Sequence, residues 1–167
     1  MSRTLRLETA RPEVTVRELT TIYDDRAYFE AIHEDRQHVD QYANFVSWKY
    51  PTVEAVTMAR LTNGPKLRMG IWEKEDLKGA INALPRENGE AEIGYWLRKS
   101  AVGHGYATLA LTALTAFLQP PYSRLYAEVH PDNQPSVDVL RRSGYIAAGA
   151  ADREWGPALV FEHAVTD

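Results

Sequence analysis

The sequence predicts a mixed α/β fold, in which an antiparallel meander of strands leads into one central βαβ unit. Three observations carry this. Alternating stretches at Leu67–Glu75, Leu77–Leu84 and Ala91–Lys99 follow one another with only turn residues between them, as the strands of a meander do. A helical apolar pattern then follows a Gly103-His104-Gly105 turn. After that whole helix comes one more alternating stretch, Ser123–Val129, and a crossover of that length makes the two flanking strands parallel.

The other elements fall around this frame. Val14–Leu19 alternates and predicts a strand. Thr20 or Thr21 caps a following helix, with Asp24 and Asp25 in its first turn and Ile22, Tyr28, Phe29 and Ile32 as its apolar face. The stretch from Arg36 to Trp48 fits a short helix or a loop. Pro51 opens a helix that Asn63-Gly64-Pro65 stops. Asn88-Gly89 marks the tip of a hairpin. Ala107, Ala110, Leu111, Leu114, Phe117 and Leu118 give the crossover helix its buried face, and Pro120-Pro121 ends it. Asn133 caps a last helix with Pro135 in its first turn, and Gly144 closes it in a left-handed conformation. Two closing strands follow.

The 167 residues suit one domain over residues 1–167, with a core from about 13 to 164. A hydrophobic fraction of 44% and a charged fraction of 25% are those of an ordinary globular chain. The net charge of −4 gives no basic footprint for nucleic acid. No apolar run reaches the ~20 residues of a membrane span, and no apolar leader opens the chain. A cytoplasmic protein is expected, as a monomer or as a homodimer joined through its closing strands. There is no cysteine, so disulfides and thiolate nucleophiles are excluded and a reducing compartment fits.

The Gly103-His104-Gly105 turn is a candidate anion site. Glycines let a backbone approach a ligand, and the free N–H groups of the helix start favour phosphate. Two pyrophosphate ligands compete for it. A dinucleotide site would want a third glycine where Thr108 stands, with Glu128 as the acid on the ribose. That gives the reading of a small NAD(P)-dependent oxidoreductase. Coenzyme A would place its pyrophosphate on the turn and its amide-bearing arm on an exposed strand edge, Tyr95 to Arg98. That edge is exposed only where the two strands flanking the turn splay apart. A P-loop is excluded, since no Gly-Lys-Ser/Thr follows.

The stretch EIGYWLRKSAVGHGYATLAL resembles motif A of the GNAT acetyltransferases, and LYAEVHPDNQPSVDVLRRSGYI resembles motif B. The pairing of GYW with GHGYAT, and of NQPS with SGY, is most similar to the RimJ/RimL-type N-acetyltransferases. The resemblance implies the acyl-CoA N-acyltransferase fold, acetyl-CoA as co-substrate, no metal, and an amine acceptor. That acceptor is a peptide N-terminus, a polyamine or an antibiotic-like amine. It implies that Tyr95, Trp96, Leu97 and Arg98 flank the arm of the cofactor. Val102, Gly103, His104, Gly105, Tyr106, Ala107 and Thr108 would hold the pyrophosphate, Asn133 and Ser136 the arm, and Arg141 or Arg142 a phosphate. Ser100 stands where the superfamily pattern often has Gln or Arg. A CoA-binding sensor of the same fold, without catalysis, is the third reading.

In such a family an amine attacks the thioester directly, which suits a chain without cysteine. The resemblance makes Glu92 the candidate base, acting through a water. On an alternating strand it is equally a solvated charge beside Gly94, opposite Ala91, Ile93 and Tyr95. Ser136 is the candidate donor to the departing thiolate, because Leu140 occupies the position of the family's usual tyrosine acid. Without that role, Ser136 and Asn133 are ordinary helix-start residues. His33 and His38 fall on different faces and make no zinc pair. His104 reads as exposed and His130 as a cleft residue at a strand end. Trp48, Trp72, Trp96 and Trp155 read as core or cleft wall. Glu30, Glu34, Asp35 and Asp40 form an acidic run, either a solvated face or an attractor for a cationic amine.

Overall fold

The computed structural model describes residues 3–43, 46–62, 64 and 66–164. Its strands are β1 (Arg6–Glu8), β2 (Val14–Glu18), β3 (Leu67–Glu73), β4 (Asp76–Pro85), β5 (Glu90–Leu97), β6 (Arg124–Val129), β7 (Ile146–Arg153) and β8 (Gly156–Ala164). They form one sheet in the order β1-β2-β3-β4-β5-β6-β8-β7. Only β5 and β6 pair in parallel; every other neighbour is antiparallel. The helices are α1 (Ile22–Glu34), α2 (Arg36–Asp40), α3 (Val46–Lys49), α4 (Val53–Thr62), α5 (Tyr106–Leu118) and α6 (Gln134–Arg142).

The side-chain alternation of the strands separates two cores. Val16, Ile71, Ile81 and Ile93 pack with α5 and α6. Their strand neighbours Trp72, Ala80 and Trp96 pack on the opposite face with α1 to α4. Within α5 the predicted positions Ala107, Ala110, Leu111, Leu114 and Leu118 are buried, whereas Phe117 is 44% exposed. Thr21 caps α1 in a capping box with Asp24, and Asn133 Oδ1 accepts from Ser136 N to cap α6.

Two elements differ from expectation. Arg6–Glu8 forms a strand whose single apolar residue, Leu7, gives no period to read. Its place comes from pairing with β2 and from Leu5 N donating to Glu18 Oε2 at 2.8 Å. The ambiguous stretch after α1 becomes α2, a 3₁₀ turn over Gln41–Ala43, and α3. Asp35 and Asp40 organise it: Asp35 caps α2, and Asp40 accepts from Ser47 N at 2.9 Å and from the Ser47 hydroxyl.

The core also sets an alkaline limit. Burial pushes the hydroxyls of Tyr28 and Tyr145 from 10.0 up to about 12. Their contribution to stability is complete below the unfolded value and is lost as pH rises through the folded one. Denaturant midpoints are therefore expected to be flat up to about pH 10 and to fall steeply toward about pH 12. A midpoint at about pH 11 equal to that at neutrality would contradict this linkage.

Candidate active site

The glycine turn and the splay lie side by side. After β5 the chain makes a 3₁₀ turn over Lys99–Ala101 and enters α5 through Gly103 and Gly105, at φ of 82° and 81°. Both are left-handed conformations that favour glycine. Gly105 is also the residue that caps α5, and it has no side chain to satisfy the first N–H groups of the helix. The N–H groups of Tyr106, Ala107 and Thr108 therefore have no intrahelical acceptor. Arg11, from the β1–β2 loop, stands over this turn: its guanidinium lies 5.7 Å from the Tyr106 ring centre.

The β5–β6 ladder ends at Glu92↔Tyr126, although β5 continues to Leu97 and β6 to Val129. Beyond that register the two strands part. On the side of the turn this opens a groove of about 760 Å³, floored by β5 and walled by α5, α6 and α2. On the other side lies a cleft of about 470 Å³ bounded by α3, β4, β5 and β6. Tyr42, Tyr95, Trp96, Asn133 and Ser136 line both spaces.

At the junction, Ser136 Oγ donates to Tyr95 Oη at 2.9 Å, and Tyr95 Oη donates to the Ser136 carbonyl at 3.1 Å. Burial holds the Tyr95 hydroxyl far above the usual tyrosine range. It stays protonated at any working pH. On the cleft side Glu92 lies half-buried on β5, with Arg86 Nε donating to its Oε2 at 2.9 Å and Arg86 Nη2 to the same oxygen. That bond raises the pKa of Arg86.

Residues 13–146 match the acetyltransferase (GNAT) domain family. The chain belongs to the GNAT acetyltransferases. It is 36% identical over 83 residues to the uncharacterized N-acetyltransferase p20 of Bacillus licheniformis, covering 47% of each chain. It is 33% identical over 102 residues to the ribosomal-protein-serine acetyltransferase of Escherichia coli strain K12, over 59% of this chain and 56% of that one. The chain thus spans about half the length of the curated relatives it matches. The fold is that of Mycobacterium smegmatis RimJ, solved with CoA-disulfide: the TM-score is 0.73 at 23% identity, over 96% of this chain and 86% of that one.

In this GNAT domain the groove brings together Tyr95, Trp96, Leu97, Val102, Gly103, Gly105, Tyr106, Ala107, Thr108, Asn133 and Ser136. Three predicted residues lie elsewhere. Arg98 turns away to Glu34, Asp76 and the Leu77 carbonyl. His104 is exposed and does not line the groove. Arg141 points at the Phe161 ring, 5.9 Å from its centre, and it is Arg142 that reaches the groove. Consecutive helix residues diverge by about a quarter turn, so only one of the two arginines can face it.

Other readings left open by the sequence resolve in the same way. The acidic run does not wall the cleft: Glu34 pairs with Arg98, Asp35 lies 3.7 Å from Lys99, Asp40 binds Ser47, and Glu30 is exposed. Glu128, the acid a dinucleotide ribose would need, is taken by Arg153, and family membership removes the oxidoreductase reading. Among the described residues no group of three or more acidic or histidine side chains could hold a metal. Among the described residues no helix is long and apolar enough to cross a membrane.

Sequence reasoning missed Arg11 and His38. A carbonyl only accepts, so His38 carries its proton on Nε2 and donates to Leu97 O at 3.0 Å; Gln41 Nε2 donates to its Nδ1 at 3.2 Å. Through this bond His38 anchors α2 against the open end of β5. Neither residue has a local signal, because each reaches the groove from a segment far away in the chain.

Proposed function

We propose that this GNAT domain transfers an acetyl group from acetyl-CoA to a primary amine, on a protein N-terminus or a small molecule. The observation that carries the reading is the meeting of the two spaces at Tyr95 and Ser136. A donor in the groove and an acceptor in the cleft would approach each other only there.

Acetyl-CoA is the donor substrate and supplies the reactive thioester. Its pyrophosphate suits the uncapped N–H groups of Tyr106, Ala107 and Thr108, with Arg11 and Arg142 as counter-charges. The amides of its arm suit the edge that β5 leaves free after Glu92. In the reaction the amine nitrogen bonds to the acetyl carbon and the carbon–sulfur bond breaks. The amine loses a proton to Glu92 through a water. The departing sulfur takes a hydrogen bond from Ser136 Oγ, which Tyr95 orients while keeping its own proton, and the thiolate is then protonated from solvent, where Glu92 releases the proton of the amine. A main-chain N–H of β5 polarises the carbonyl. The E. coli relative is named for ribosomal-protein serine, which favours a peptide amine among the acceptors.

The test is CoA release from acetyl-CoA across a panel of peptide, polyamine, lysine and aminoglycoside amines, beside thermal shift with acetyl-CoA alone. Release with at least one amine is expected. Gly105→Asp should weaken acetyl-CoA by about 2 kcal/mol, roughly thirtyfold, because a fixed anion then occupies the helix start. Position 105 is left-handed and strained for any side chain, so the unfolding midpoint of the unliganded variant is measured beside its binding. Stabilisation by acetyl-CoA without release from any amine would favour the sensor. No stabilisation at all would remove the acetyl-CoA reading.

A further inference from the structure

The charge of the cleft carries an inference about the acceptor. Two carboxylates line it, Glu92 and Glu128. Each already has its own arginine, Arg86 and Arg153 respectively. Three cations at the same cleft have no carboxylate within 4.0 Å among the described residues: Lys49 and Lys66 on its lining, and Arg68 behind it. Arg68 is 8% exposed. Its Nη2 donates to Tyr50 Oη at 2.6 Å, and its Nη1 is buried without a partner. The charge rests against two aromatic walls of the cleft, 5.0 Å from the Tyr50 ring centre and 5.7 Å from that of Tyr28.

The sheet register adds a neutral donor. Arg68 on β3 faces Asn82 on β4, and Asn82 faces Gly94 on β5. Because position 94 has no side chain, the Asn82 amide lies over it, where a Cβ would sit 3.3 Å from Oδ1. The cleft floor thus offers an amide N–H beside a group of uncompensated cations. Unpaired buried charge is destabilising, and an anion arriving with the substrate removes that penalty. The crowding registers in Lys66, whose pKa is lowered first by burial and then by Arg68 and Lys49, an effect that Glu92 offsets only in part.

We propose that the acceptor of this enzyme is an amine that also carries a carboxylate, which seats on Lys66, Lys49 and the Asn82 amide in front of Arg68. This rests on the acetyltransferase reading above and names its substrate class. A focused positive field attracts an acidic acceptor and repels a polycation. Polyamines and aminoglycosides are therefore poor acceptors.

Binding can be tested apart from catalysis. The CoA-bound protein is titrated with N-acetyl tripeptide amides carrying Asp, Asn or Lys at the second position, which resemble products and cannot react. The Asp probe should bind about tenfold tighter than the Asn probe, with Lys weakest, as for a charge-assisted contact. The preference should shrink as salt rises. Lys66→Glu should reverse the order of Asp and Lys; the exposed Lys49→Glu should reduce it and guards against a folding defect at position 66. N-acetylaspartate in place of the tripeptide separates a small acidic amine from an acidic peptide end, and binding of either upholds the class. A Lys probe that binds as well as the Asp probe, or no binding by any acidic probe, overturns it. Acetyl transfer to the free-amine peptides is measured separately. Acidic binding without any transfer sinks the enzymatic reading alone, whereas transfer that prefers the Lys peptide sinks the acidic-acceptor class alone.

Discussion

Replacing Ser136 with alanine is expected to lower kcat by about 10²-fold, the lower end of what one preorganised hydrogen-bond donor to developing charge contributes, with acetyl-CoA affinity nearly unchanged. The cap of α6 survives, because its bond runs from the Ser136 backbone N–H to Asn133 Oδ1 and not from the hydroxyl. Tyr95→Phe should fall by a similar factor, since it removes the partner that orients Ser136 Oγ. The double variant should be little worse than either single one, as for groups that act as a unit. The pH profile distinguishes catalysis from packing. Burial keeps the Tyr95 hydroxyl protonated, so the wild type should show no alkaline loss from this pair near a normal tyrosine value. Equal turnover in Ser136→Ala would remove its role as hydrogen-bond donor to the thiolate; additive losses would make the two residues independent.

Glu92→Gln carries the second large effect. A base matters most while the amine is still protonated. An α-amino acceptor titrates near ~7.7–8.0, so the loss should be about 10²-fold below that range and shrink above it. The alternative is that Glu92 only anchors Arg86, which donates two bonds to one of its oxygens. In that case the loss would be uniform with pH, and Arg86→Gln would reproduce it. Folding is a minor complication: Arg86 is 48% exposed, and pairs of this kind contribute at most about 1 kcal/mol. A pH-independent loss would reassign Glu92 from base to positioning residue.

Most of the frame was legible in local pattern. The period-2 runs became β2, β3, β4, β5 and β6, and the period-3.6 run became α5. The caps at Thr21 and Asn133 and the left-handed Gly103, Gly105 and Gly144 stand where turn chemistry placed them. These features are decided within a few residues, by sterics and by orphan N–H groups, so one strand of text carries them. The parallel pairing of β5 and β6 also followed, because a whole helix separates them.

What remained depends on which distant segments meet. Ser136 could be named from the chain, but its bond to Tyr95 spans 41 positions. Arg11 and His38 arrive at the groove from the β1–β2 loop and from α2. The acidic run read as a solvated face or as an attractor for amines, and only the fold gave Glu34, Asp35 and Asp40 their nearer partners. The sign of the cleft shows the same limit. The chain carries a net −4, yet the cleft gathers Lys49, Lys66 and Arg68 while its own carboxylates are neutralised by arginines. Net charge sums over the whole chain, but a substrate meets only the charges that packing leaves without a partner. Local period and turn chemistry therefore decided the strands, the crossover helix and the glycine turn, because they act within a few residues; which side chains meet at Ser136 and Tyr95 and which cleft charges stay unpaired was decided only by three-dimensional packing.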